Sequence, residues 1–197
     1  STAASPAQNP LQKVLKNYFR THPFDRTFSS FITSLQQDSW FRIDVYNRRT
    51  DSSFFYLAGH YINFNPFQYP AREVKLIIAE SECKHNDSLE TLDTIINLQM
   101  LGITDTSRKA AQYVEKEFRR FHKIYAPLFW QTTYDYAQKK GQRSAELYNY
   151  FIYPFSISPV TIAWGLLPET EQYTFTLTLR CKVRENIADL ILAPGGL

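Results

Sequence analysis

The sequence predicts an α+β fold: a mainly antiparallel sheet of five to six strands with two pairs of helices packed on it. Three observations carry this expectation. Residues 173–184, YTFTLTLRCKVR, alternate strictly. Tyr173, Phe175, Leu177, Leu179, Cys181 and Val183 fall on one side, and Thr174, Thr176, Thr178, Arg180, Lys182 and Arg184 on the other. That is the period of a strand with one covered face. Residues 105–125 place Ala111, Val114, Phe118, Phe121 and Tyr125 at alternating steps of three and four, along one stripe of a helix. Finally, strand-like segments follow one another directly in both halves of the chain, which favours antiparallel pairing over crossover units.

The elements follow in order. Residues 1–10, STAASPAQNP, form a small, uncharged tail that is expected to be flexible, ahead of a single domain over 11–197. Leu11, Val14, Leu15, Tyr18 and Phe19 share a helical face, and His22-Pro23 ends it. Asp25 is placed to cap a second helix carrying Phe28, Phe31, Ile32 and Leu35. Three strands are expected at 40–46, 54–64 and 73–83, with the polar turn NRRTDSS between the first two. Gly59 marks a bulge or a close approach within the second. Asp87 and Glu90 have capping-box spacing before Leu89, Leu92, Ile96 and Leu101, and Gly102 suits a helix stop, so a helix is expected there. The helix over 105–125 starts at a cap on Asp105 or Thr106. It is expected to continue beyond Pro127, kinked, to Lys140. Strands are then expected at 147–153, at 157–167 with an irregular or edge character set by Pro159, and at 173–184. Residues 187–193 suit a final strand or short helix. The two halves share an order of elements without a residue-level repeat. Helices against an antiparallel sheet give an element order similar to the nuclear-transport-factor-like cavity folds, and that resemblance implies a pocket between sheet and helices.

Composition narrows the function classes. The 197 residues carry 22 basic and 19 acidic side chains, a formal charge of +3, too weak to steer the whole molecule to nucleic acid. No apolar run reaches the length of a membrane-spanning helix. The small, polar first residues suit a chain from which a signal has been removed, so an exported or envelope-associated origin is expected, with any lipid anchor outside the given chain. Aromatic residues make up 16% of the chain, a bias that suits β-rich cores and binding faces alike. Cys83 and Cys181 both lie in strand-like stretches, where buried free thiols are expected in preference to a bridge.

Chemistry-bearing residues are sparse. The stretch Glu80-Ser81-Glu82-Cys83-Lys84-His85 puts Glu80 and Glu82 on one strand face, with Cys83 and His85 on the other. No further metal ligands or orienting group stand at a recognisable spacing, so no metal or cofactor is expected. His60 follows Gly59 among aromatics and suits a cavity acid or base. Arg180, Lys182 and Arg184 share one face of the last strand, where charge either meets an acidic partner or guards an edge. No phosphate loop, nucleophile elbow or paired-cysteine motif is present.

The expectation is therefore a non-catalytic protein–protein interaction or assembly module, with other protein subunits as partners and homo-oligomers allowed. Tyr148, Tyr150, Tyr153, Arg180, Lys182 and Arg184 are its candidate interaction residues. The alternative is a small-ligand cavity using His60, Tyr56, Glu80 and Glu82. An enzyme pairing His60 with Glu80 or Glu82 ranks third, and no catalytic residue is assigned.

Overall fold

The computed structural model describes residues 10–23, 28–84, 92–129, 131–135, 142–148 and 155–183. Two helices, α1 (Pro10–Tyr18) and α2 (Phe28–Gln37), precede four strands: β1 (Phe41–Asn47), β2 (Tyr56–Tyr61), β3 (Glu73–Lys84) and β4 (Leu92–Ile103). Helix α3 (Arg108–Tyr125) and one 3-10 turn (Ala126–Leu128) lead into β5 (Gln131–Asp135), β6 (Arg143–Tyr148), β7 (Phe155–Leu166) and β8 (Tyr173–Val183). The strands form one eight-stranded sheet in the order β1-β2-β3-β4-β8-β7-β6-β5, antiparallel throughout. The first half is two helices and the second one α-helix, each followed by a four-stranded meander. Joining the halves through β4 and β8 gives the strand order that a twofold axis between those strands would generate.

Alternation decides what the sheet buries. Leu57, Leu76, Ile78, Leu98, Met100, Leu177 and Leu179 point to one face and are almost fully enclosed. They share one core with Val14, Leu15 and Tyr18 of α1, Phe31, Ile32 and Leu35 of α2, and Val114, Phe118 and Phe121 of α3. Aromatic contacts knit the layers: the Phe121 ring lies 6.2 Å from Phe175 and 5.3 Å from Tyr18. All three helices therefore lie on the same face of the sheet. Among the described residues, no helix is long and apolar enough to cross a membrane.

Several expectations need correction. Among the described residues the sheet has eight strands, and three α-helices stand where two pairs were expected. The helix expected around Leu92 to Leu101 is strand β4. Ile96, Leu98 and Met100 alternate inward, and β3 and β8 hydrogen-bond to it on both sides. That tertiary pairing outweighs a local spacing which also fitted a helix. Gly102 thus stops no helix; it lies within β4. The kinked continuation to Lys140 is replaced by β5. Pro127 donates no amide to a longer helix, and Thr132, Thr133 and Tyr134 are strand-favouring residues. The cap of α3 is Ser107, whose hydroxyl accepts from the Ala110 amide, while Asp105 accepts from the Ser107 amide just before it. The strand expected at 147–153 runs instead over Arg143–Tyr148. Pro159 sits at a register shift between Ile157 and Val160, inside a strand that is paired on both sides and is no edge. The tail over residues 1–9, Asp25, the connection with Asp87 and Glu90, and 187–193 lie outside the described residues.

The cysteines sit in β3 and β8, opposite Asp93 and Ile96 of β4 respectively. A whole strand separates them, about 9.6 Å at two strand spacings, beyond the ~7 Å that a disulfide spans.

Candidate functional site

Among the described residues every helix lies on one face of the sheet, and no element lies over the other face. Its residues fall into rows that the register defines. One row runs Ala58, Ile77, Gln99, Thr178, Thr161 across β2, β3, β4, β8 and β7. The next runs His60, Lys75, Leu101, Thr176, Ala163, Ser144, and another runs Tyr56, Ala79, Asn97, Arg180. Most of these side chains are half-buried, Leu101 is buried and Arg180 is exposed. The row through Ala58, Ile77, Gln99, Thr178 and Thr161 holds no charged residue. Alanine, isoleucine, threonine and a side-chain amide fill it, and the Gln99 amide donates to the Thr178 hydroxyl at 3.3 Å.

Charged residues flank this row on both sides. Lys75 Nζ lies 3.5 Å from Glu73. Asp44 occupies the register shift between Ile43 and Val45 of β1, and its carboxylate meets His60 Nδ1 at 2.9 Å. Arg42 pairs with His60 in the register, so alternation already puts Asp44 on the His60 face, and after the shift Val45, opposite Ala58, joins it there. On the other side of that row, in β8, the exposed Arg180 places its Nε 3.4 Å from Asn97 Oδ1.

Glu80 lies on the other side of the sheet. It continues the enclosed series Val74, Leu76, Ile78, so His60 and Glu80 point to opposite faces and do not meet. One Glu80 oxygen accepts from Arg49 Nε at 2.9 Å and the other from the Phe55 amide at 3.0 Å. The space between sheet and helices is filled by side chains. What remains is a groove of about 570 Å³ at its margin, between α2 and the β1–β2 connection. Phe28, Ile32, Tyr46 and Phe55 give it apolar walls, Ser29, Thr33 and Gln36 line it from α2, and Arg48, Arg49, Thr50, Asp51 and Glu80 complete it.

Of the residues singled out from sequence, Tyr56, His60 and Arg180 thus share the uncovered face, and Glu80 belongs to the groove. Glu82, Tyr148 and Lys182 lie in β3, β6 and β8, while Tyr150, Tyr153 and Arg184 lie outside the described residues. Sequence reasoning missed Asp44, Arg48, Arg49 and Asp51. The last three sit in NRRTDSS, which carries only turn signals, and the partner of Arg49 stands 31 residues away. Among the described residues, no three His, Cys, Asp or Glu side chains gather as a metal site would require. Comparison of the chain with protein-family models, with curated proteins and with solved structures finds no match.

Proposed function

We propose that this chain is a non-catalytic assembly module that associates with a second copy of itself through the uncovered face of the sheet. The observation that supports this reading is the charge-free row Ala58, Ile77, Gln99, Thr178 and Thr161 across that face, since depletion of charge marks interface cores. The occupant follows from electrostatics. Glu73 and Lys75 pair within the chain and Asp44 is hydrogen-bonded to His60, so this part of the rim presents no cluster of one sign to an oppositely charged partner. A flat face of Ala, Thr, Ile and amide side chains complements a copy of itself, and two such sheets stack at about 10 Å.

The test is sedimentation velocity over a range of protein concentrations, with Ile77→Lys beside the parent chain. Ile77 is half-buried at the centre of the face, so a lysine there keeps the fold but sets two cations against each other across a twofold contact. A concentration-dependent dimer that Ile77→Lys reduces to monomer is expected. A parent chain that stays monomeric at the highest concentration reached would overturn the reading.

A further inference from the structure

We infer that the groove between α2 and the β1–β2 connection is a site for a small zwitterion with an apolar body, of the size and charge pattern of a free amino acid. Its volume, about 570 Å³, falls within the roughly 300–1,000 Å³ of small-molecule sites. The floor is already satisfied. Glu80 is held by Arg49 Nε and the Phe55 amide, and its side chain is 1% exposed, so its carboxylate is not left to bind a ligand and balances the charge of Arg49. The wall is aromatic, with Phe28 5.0 Å and Tyr46 5.8 Å from Phe55, both edge-on. Such a wall receives an apolar or aromatic group.

Two opposite charges remain on the rim. The Arg48 guanidinium lies 5.8 Å from the centre of the Tyr46 ring, and neither Arg48 nor Asp51 forms an ion pair among the described residues. A cation and a carboxylate beside one apolar wall fit a ligand that carries both signs. The guanidinium takes the ligand carboxylate and Asp51 takes its ammonium, as charge-assisted hydrogen bonds. A simple anion would face Asp51 uncompensated, and a simple cation would face Arg48. The groove lies on the helix side of the sheet, so this site is independent of the self-association surface.

The experiment is isothermal titration of the full chain with phenylalanine, tyrosine and leucine, and with phenylacetate and phenethylamine as single-charge controls. At least one of the three amino acids is expected to bind, about fivefold or more tightly than either control. Arg48→Gln and Asp51→Asn are each expected to weaken that binding by a similar factor. Both residues are exposed, so circular dichroism and unfolding of the variants should match the parent chain. Arg48→Gln should weaken phenylacetate but not phenethylamine, and Asp51→Asn the reverse. Failure of all three amino acids to bind, equal binding of either control, or unchanged affinity in both variants would overturn the assignment.

Discussion

Glu117 brings a carboxylate into the junction of α1, α3 and the 62–72 connection, with its side chain 1% exposed. Tyr18 donates its hydroxyl to it at 3.0 Å, the Gln68 amide donates at 3.1 Å, and Arg120 Nη2 donates at 2.6 Å. Burial, then the negative charge of Glu117, pushes the Tyr18 phenol well above its usual range, so it remains a donor. Burial works against the Arg120 charge, but its hydrogen bond to Glu117 and the neighbouring phenols outweigh this and raise its pKa. Glu117→Gln should therefore destabilise the fold by about 3–5 kcal/mol, because a partly buried guanidinium loses its counter-charge. Tyr18→Phe should cost about 1–2 kcal/mol, for one donor. Urea denaturation of the two variants checks the order, and equal losses would contradict it. His122, also on α3, has its pKa lowered by burial. The unfolded chain then binds the proton more readily than the folded one. Stability from this group is complete above the unfolded value of about 6.5 and is lost as pH falls through that value towards the lower folded one. His122→Gln should flatten that part of the stability curve between about pH 8 and pH 5, measured as the difference from the parent chain.

At the scale of elements, α3, β3 and β8 are legible from periodicity because each buries one clean stripe or face. The β4 segment is not, because apolar residues stand on both of its faces: Ile96, Leu98 and Met100 inward, Ile95 and Leu101 outward. That blurs a period of two into something a helix also fits, and only the flanking strands decide it. Gly102 shows the same limit. The Tyr69 hydroxyl donates to its carbonyl at 2.7 Å, and a methyl group at this position would overlap the Tyr69 hydroxyl and the Phe67 ring. The glycine is required by packing, where its sequence position suggested a helix end. Gly102→Ala should cost about 1–3 kcal/mol of stability in denaturant unfolding, as overpacking does. A neutral result would mean that the 62–72 connection yields freely.

For the whole molecule, the sites are less legible than the fold. Asp44 with His60, and Arg49 with Glu80, are brought together by pairing between strands, at separations of 16 and 31 residues. No local motif encodes such meetings, whereas alternation does mark which residues share a face. If association is carried by the charge-free row across the uncovered face, its strength should barely change between about 0.05 and about 0.5 M salt, since screening acts only on charges. Sedimentation at both salt concentrations measures this, and a steep loss at high salt would place the contact on charged rims instead. The seam between β4 and β8 has a consequence in time. Each meander can close through neighbours along the chain, but the seam joins residues from 71 apart, Ile103 with Thr174, to 87 apart, Ile95 with Lys182. Contacts of such long sequence separation slow folding, because loop entropy is lost before they form. The two halves can therefore organise early and dock late, and the docking of β8 against β4 sets the pace at which the chain reaches its native state.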